Sequence, residues 1–356
     1  MMKGDLVTEL SVKPDLPLIQ AIEAITRGTR KIILVCSPDK TLLGIVTDYD
    51  IRKAILARMP FDTPVAKFMK QGPITVTADM SDDAVFAKME TTRCHQMPVL
   101  DKRGRAVGVR FIDEFLHRNA ARGESIAVIM AGGTGSRLRP ITYDTPKPLL
   151  SIGGKPILFI LLDQMFSERF DRVFISVNYK ADAIQAAIND AARYRGKVEF
   201  LMEQEPLGTA GSLSLLPFRP TEPLAVINGD LLTNVSLAEM RNFHKSEGNR
   251  VTVALKRETY TIPYGVAEVE GARILRLKEK PAYEHYVNTG VYIVDPAVID
   301  TIPRGKRCDM TTLVDSTIES GHPVGWFPVH EYWLDIGTPA QYERAQEEYL
   351  THFPAK

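Results

Sequence analysis

A glycine-rich run, Gly132-Gly133-Thr134-Gly135-Ser136-Arg137-Leu138-Arg139-Pro140, follows directly on the apolar stretch Ile126–Met130. Glycines at the carboxyl end of a strand let backbone N–H groups approach a phosphate closely, because no Cβ intervenes. Two common phosphate loops are excluded by the residues that follow. A Walker A loop needs Gly-Lys-Ser/Thr, which is missing, and the dinucleotide fingerprint needs a third small residue where Leu138 stands. The run continues through Ile141-Thr142 to Thr145-Pro146-Lys147-Pro148-Leu149-Leu150, so Arg137 and Lys147 supply fixed cations close to the turn.

The whole stretch from Gly132 to Leu150 resembles the signature of sugar nucleotidyltransferases, Gly-Gly-x-Gly-Thr/Ser-Arg-Leu-x-Pro-Leu/Ile-Thr followed by Pro-Lys-Pro-Leu. The resemblance extends along the rest of the chain. Glu203-Gln204-Glu205-Pro206-Leu207-Gly208-Thr209-Ala210-Gly211 is similar to the family's base-binding loop, and Asn228-Gly229-Asp230 to its metal-binding strand end. Tyr264-Gly265, Glu279-Lys280-Pro281 and Asn288-Thr289-Gly290 resemble its sugar-binding elements, and Trp333-Leu334-Asp335-Ile336-Gly337-Thr338 the segment with a second metal carboxylate.

The resemblance implies condensation of a nucleoside triphosphate with a sugar 1-phosphate, releasing pyrophosphate. Arg137, Lys147, Asp230 and Asp335 are the expected catalytic residues, and Asp230 with Asp335 the expected ligands of Mg²⁺. Ala131, Gly132, Gly133, Gly135, Ser136, Glu203, Gly208 and Thr209 are expected to hold the nucleotide. Tyr264, Gly265, Glu279, Lys280, Asn288 and Thr289 are expected to hold the sugar phosphate. The physical chemistry agrees: two polyanions must be brought together, so the site neutralises charge before an oxygen attacks the α-phosphorus in line. Aspartates offer hard oxygens that suit Mg²⁺. The sugar phosphate oxygen is already anionic at neutral pH, so no protein nucleophile is required.

The form Leu207-Gly208-Thr209-Ala210-Gly211 is the one seen in guanylyltransferases such as those acting on mannose 1-phosphate. A carboxylate at Glu203 or Glu205 would suit guanine, accepting from N1–H and the 2-amino group together. GTP is therefore the expected nucleotide, with UTP or dTTP as the alternative. The order of domains resembles bacterial enzymes of surface-sugar pathways, including glucosamine 1-phosphate guanylyltransferases of nonulosonic acid synthesis, and glucosamine 1-phosphate is the expected acceptor.

The elements that must position these residues follow from the hydrophobic pattern. From Ser125 onward apolar strands alternate with helical stretches: Ile126–Met130, a helix from Pro156 to Phe166, Arg172–Val177, a helix from Ala181 to Tyr194, then Val198–Leu201 and Pro223–Ile227. Such alternation gives an α/β, Rossmann-like domain whose mostly parallel sheet carries helices on both faces and ligands at the strands' carboxyl ends.

Upstream, the segment from about Leu10 to Ile55 recurs 64 positions later without a gap. Leu10-Ser11-Val12 aligns with Ile74-Thr75-Val76, Val35 with Val99, and Leu43-Gly44-Ile45 with Val107-Gly108-Val109. Leu18, Ala21, Ile22 and Ile25 keep the spacing of an amphipathic helix, which Gly28 can terminate. Each copy reads strand, helix, strand, strand, helix. The pair, over residues 5–120, resembles an α+β tandem CBS module. Its most specific stretch, Gly44 to Ile51, is similar to the family's Gly-x-x-Thr-x-x-Asp, which implies an adenine-nucleotide site with Thr47 near a phosphate and Asp50 on the ribose. Phe111 and Glu114 replace these two residues in the second copy, so at most one site is intact. A module that only supports oligomerisation is the alternative. These observations divide the chain into residues 1–60 and 61–121, the two repeats, and 122–356, the transferase, and the CBS pair implies a homo-oligomer.

Composition bounds the remainder. The 356 residues carry 44 Lys+Arg against 44 Asp+Glu, so no global field draws the protein onto nucleic acid or an anionic membrane, and neither is an expected partner. Three cysteines, Cys36, Cys94 and Cys308, form neither a disulfide framework nor a thiolate zinc site, and the apolar run Ile157–Leu162 is far short of a membrane span. A cytoplasmic protein is expected. The competing class is a non-catalytic nucleotide sensor with a relic transferase domain, whose mark would be loss of Arg137, Lys147, Asp230 or Asp335; all four are present.

Overall fold

The computed structural model describes residues 3–27, 30–92, 94–115 and 124–353. The proposed helix stop at Gly28 lies outside the described residues, as does most of the inter-domain stretch 119–124. The chain divides into two units, Met1–Arg122 and Gly123–Lys356.

The first unit repeats itself in register as well as in sequence. Val12 pairs in parallel with Val35, and Val76, 64 positions on, pairs in parallel with Val99. Ile32 opposes Thr47 and Gln96 opposes Phe111, again with the same offset, and both hairpins break register at the matching place, after Val35 and after Val99. The amphipathic helix Leu18–Arg27 buries Leu18, Ala21, Ile22 and Ile25, the four positions its periodicity selects. The copies differ at their ends. Asp48–Leu56 is a helix of 9 residues, whereas the second copy has the short turn Ile112–Glu114. A helix at Lys3–Leu10, ahead of the first strand, has no counterpart in the sequence reading.

The second unit is built on a seven-stranded sheet. In chain order its strands are β1 (Ile126–Met130), β2 (Arg172–Val177), β3 (Val198–Met202), β4 (Leu224–Asn228), β6 (Val251–Thr261), β9 (Ala282–Val294) and β10 (Val324–Val329). Shorter strands pair outside that sheet, among them β5 (Leu231–Thr233) with β11 (Trp333–Asp335) and β7 (Val266–Glu270) with β8 (Arg273–Lys278). The sheet order is β3-β2-β1-β4-β9-β6-β10, with β9 the strand that runs antiparallel to its neighbours. The longer helices of the unit are α1 (Ile157–Ser167), α2 (Ala181–Asp190), α3 (Leu237–Glu247), α4 (Met310–Glu319) and α5 (Pro339–His352).

Both sheet faces are covered, which is why β1, β2 and β4 are continuous apolar runs rather than alternating ones. One face gathers Val128, Phe174, Val226, Val253 and Tyr292 under Leu213, Met310 and Leu313. Chain order reverses between β1 and β4, and at such a switch point the flanking loops diverge and leave a crevice at the carboxyl ends. The glycine-rich turn leaves β1 there, and Asp230 follows β4.

Helix α5 returns to the segment just after the glycine-rich turn. Tyr342 Oη and Gln346 Nε2 both donate to the Ser151 carbonyl, at 2.9 and 2.6 Å, and Gln346 Oε1 accepts from Gly153 N–H at 3.1 Å. Gly153 has φ +57°, and a Cβ there would lie 2.1 Å from the Tyr349 ring. Gly153→Ala is expected to destabilise this unit by about 3 kcal/mol through the overlap and the left-handed backbone. Calorimetry of the variant should show one transition lowered and the other unchanged.

Candidate active site

The glycines of the turn have separate duties. Gly135 sits at φ +62° and caps the turn Ser136–Leu138, its carbonyl accepting from Thr142 Oγ1 at 2.9 Å. A Cβ on Gly135 would come within 3.1 Å of both Lys147 and Thr142. Gly132 lies against Glu203, where a Cβ would stand 2.8 Å from Oε1. Gly133 has nothing within 4 Å of the place its Cβ would take, so this residue borders open space. Ala131 is buried, and its N–H donates to the Ser176 carbonyl at 2.9 Å, so it anchors the turn to β2.

A cavity of about 230 Å³ opens beside this turn. Gly133, Gly135, Ser136 and Arg137 line it on one side, with Lys147, Asp230 and Gly337 on the others. Lys147 is buried, and its ammonium donates to the Asp230 carboxylate. Asp335 is brought in by the β5–β11 pairing, in which it opposes Leu231, and Ile336 N–H donates to the Asp230 carbonyl at 3.0 Å. Burial pushes the Asp335 carboxyl above its ordinary range, the Asp230 charge pushes it further, and Lys147 and Arg137 oppose both. The Arg137 guanidinium lies on the same side: a Cβ on Gly337 would meet it at 3.3 Å and Asp335 Oδ2 at 3.2 Å. Arg137, Lys147 and Asp230 thus line one small volume, with Asp335, 198 positions from Arg137 in sequence, beside it. Two facing carboxylates in a half-buried setting, one of them with its charge disfavoured, are a donor set that fits a hard divalent cation such as Mg²⁺.

The base loop is held from within. Glu203 is buried, accepting from Leu207 N–H at 2.8 Å and from the Ser176 hydroxyl, so its carboxylate closes the loop that follows it. Gly208 at φ +78° packs on Cys308 and Asp309, and Thr209 Oγ1 accepts from Met310 N–H at 2.7 Å at the start of α4. Glu205 is exposed. The anchoring partners Ser176, Cys308 and Asp309 were not found from sequence, since each lies far along the chain and carries no motif.

The residues expected at the sugar phosphate fall into two groups. Asn288 and Thr289 hold the β9 backbone: Asn288 Nδ2 donates to Tyr292 Oη at 2.7 Å, its Oδ1 accepts from Gly290 N–H at 3.0 Å, and the buried Thr289 hydroxyl donates to the Ala254 carbonyl at 2.7 Å. Trp333 Nε1 donates to the Thr289 carbonyl at 2.8 Å. Tyr264, Gly265, Glu279 and Lys280 are exposed at the base of the β7–β8 hairpin and do not line the 230 Å³ cavity. In the first unit, Asp50 Oδ2 accepts from both Thr47 N–H at 2.8 Å and Thr47 Oγ1 at 2.7 Å, a capping box that starts the helix Asp48–Leu56. Glu114 Oε1 makes only the backbone half of this arrangement, at 3.3 Å from Phe111 N.

An open α/β sheet thus carries a glycine-rich turn, two cations and two aspartates at its switch point, the place where such sheets hold their ligands. The family comparison is more specific. Residues 126–352 match the model of the nucleotidyl transferase family, and the chain belongs to that family. Residues 2–57 and 65–109 match the CBS domain, so a CBS pair is fused ahead of the transferase domain. The chain is 31% identical over 232 residues to the mannose-1-phosphate guanylyltransferase catalytic subunit beta of Xenopus tropicalis, covering 63% of this chain and 64% of that protein. It is 32% identical over 243 residues to a UTP–glucose-1-phosphate uridylyltransferase of Synechocystis, covering 62% of each. The chain thus spans somewhat under two thirds of the length of these relatives. Among solved structures, HddC from Yersinia pseudotuberculosis matches with TM-score 0.50 and 27% identity, covering 63% of this chain and 99% of that one. Among the described residues no helix is long and apolar enough to cross a membrane.

The electrostatics of Asp335 give a signed expectation for the metal-free protein. A carboxyl raised in the folded state costs stability at every pH above its folded pKa, and the cost vanishes below its ordinary value of 3.8. Asp335→Asn should therefore raise the melting temperature at pH 7 in the presence of a chelator, with the gain disappearing below that ordinary value. Equal melting temperatures at pH 7 would contradict the arrangement described.

Proposed function

We propose that this protein transfers a nucleoside monophosphate from a nucleoside triphosphate to a sugar 1-phosphate, releasing pyrophosphate, with GTP as the donor and glucosamine 1-phosphate as the acceptor. The observation that carries the reaction is the single cavity shared by the glycine-rich turn, Arg137, Lys147 and Asp230, with Asp335 beside it. Backbone N–H groups around Gly133 and Gly135 would cradle the triphosphate, and Arg137 and Lys147 would neutralise it. The sugar phosphate oxygen then attacks the α-phosphorus in line, its lone pair forming the new P–O bond while the pair of the breaking bond leaves on the β-phosphate oxygen as pyrophosphate, so no proton has to move. Asp230 and Asp335 would hold Mg²⁺, which supplies charge neutralisation and a template for phosphate oxygens when bound.

Support for GTP comes from the Leu207–Gly211 loop and from the guanylyltransferase relatives. Since Glu203 is engaged within the loop, the carboxylate that faces a guanine would be Glu205. A uridylyl or thymidylyl enzyme is the second reading, favoured by that same engagement of Glu203 and by the uridylyltransferase relative. The CBS pair is assigned a regulatory or oligomerising role, with an adenine nucleotide at Thr47 and Asp50, in a cytoplasmic homo-oligomer.

Pyrophosphate release measured with each of four nucleotides and a panel of hexosamine, mannose and heptose 1-phosphates tests the reading. Turnover is expected with GTP, and preference for UTP or dTTP would transfer the assignment to the second reading. Asp230→Asn and Lys147→Ala should each lower kcat/KM by about 100-fold or more; an Asp230→Asn variant with full Mg²⁺-dependent turnover would overturn the mechanism. Calorimetric titration of the full chain with AMP and ATP should give binding that Asp50→Ala removes; heats equal in the variant would leave the CBS pair its oligomerising role alone.

A further inference from the structure

Residues 207–211 are gripped by the segment that begins α4. Cys308 N–H donates to the Leu207 carbonyl at 2.9 Å, and the Cys308 carbonyl accepts from Ala210 N–H at 2.9 Å and from Gly211 N–H at 3.0 Å. With Leu207 N–H on Glu203 and Thr209 N–H on Asp309, the amides of Leu207, Thr209, Ala210 and Gly211 all have protein partners. The same packing requires glycine at 208: a Cβ there would stand 2.4 Å from Asp309 Oδ1 and 2.7 Å from the Cys308 carbonyl oxygen.

The grip is an exchange of caps. Asp309 occupies the N-cap position of α4, where an aspartate ordinarily accepts from the amide two or three residues on. No side-chain bond of that kind forms here. Instead Oδ1 reaches across to Thr209 N at 3.4 Å, and Oδ2 lies 3.5 Å from Arg307 Nη2. The helix is capped from the loop in return, Met310 N–H donating to Thr209 Oγ1 at 2.7 Å. The first intrahelical bond, from Leu313 N–H to the Asp309 carbonyl at 3.0 Å, uses the backbone alone. The Asp309 carboxylate is thus turned from its own helix to a loop 100 positions away.

We infer that Asp309 is a positioning residue for the nucleotide's base: its carboxylate, with the Cys308 backbone, sets loop 207–211 in place before a ligand arrives. The inference rests on the assignment of this loop to the base. A loop ordered beforehand loses less binding energy to ordering, and a misplacement of about 1 Å weakens what it holds. The triphosphate cradle is built from other residues, Gly133–Arg137, Lys147 and Asp230. Loss of Asp309 therefore falls on the base and spares the phosphates.

Steady-state pyrophosphate release by the full chain tests this. With whichever of GTP, UTP and dTTP the wild type prefers, Asp309→Ala should raise the nucleotide KM about tenfold or more, leaving kcat and the sugar 1-phosphate KM within about twofold. Tripolyphosphate, which carries the phosphates without a base, should inhibit variant and wild type with constants within about twofold of each other. Asp309→Asn keeps an Oδ1 acceptor and should restore the nucleotide KM. Hydrogen exchange on the ligand-free wild type needs no variant: the amides of Thr209, Ala210 and Gly211 should exchange about tenfold or more slowly than that of exposed Glu205. A purely structural role would lower the melting temperature of Asp309→Ala with the nucleotide KM unmoved. That result, equal weakening of tripolyphosphate, failure of Asp309→Asn to rescue, or fast exchange at 209–211 would overturn the inference. A wild type that binds a nucleotide but turns over no sugar 1-phosphate would sink the transferase reading alone, and dissociation constants from calorimetry then decide the same comparison.

Discussion

Like charges forced together set the terms for the second unit. Asp230 and Asp335 are close enough for one to disfavour the charge of the other, in a place where water is partly excluded. Left alone, such a pair would push its strands apart or take up a proton. The Lys147 ammonium on Asp230 and the Arg137 guanidinium near Asp335 offset that repulsion without abolishing it. The result is a pocket in which two carboxylates are offset by two cations, and it lies beside backbone amides suited to polyanions. The remaining architecture can be understood as what keeps these four groups within one crevice: the switch between β1 and β4, the short β5–β11 pairing, and the return of α5.

Much of this was legible from residue types and spacing. The glycine-rich turn, its two cations and the two aspartates stood out through resemblance to a long compound pattern, and the sheet that carries them through apolar strands alternating with helical stretches. The 64-residue repeat was visible because strand pairing tolerates no insertion, so register and sequence offset had to agree. The helix Lys3–Leu10 lacked the long apolar periodicity that would have announced it.

What sequence did not disclose was the direction of particular side chains. Glu203, a candidate reader of the base, turns inward to Leu207 N–H and Ser176. Thr289 and Asn288 likewise serve the backbone around them rather than facing the cavity. A motif records that a polar residue is needed at a position; it does not separate a residue that touches ligand from one that shapes the loop doing so, because both requirements fix the residue type equally well. The anchoring of Gly208 and Thr209 on Cys308–Met310 was hidden for a different reason, being a contact across about a hundred residues with no pattern of its own.

The docking of α5 onto Ser151 and Gly153 bears on how the protein comes into being. The glycine-rich turn and Lys147 are synthesised early in this unit, but Asp335 and α5 follow about two hundred residues later. A chain grown as far as β4 and β5 contains Arg137, Lys147 and Asp230, two cations against one carboxylate. The second carboxylate, and with it the repulsion that cations relieve, enters only when β11 pairs with β5. An unfinished chain thus carries the phosphate cradle and both of its cations without the second carboxylate that would complete a donor set for a hard divalent ion.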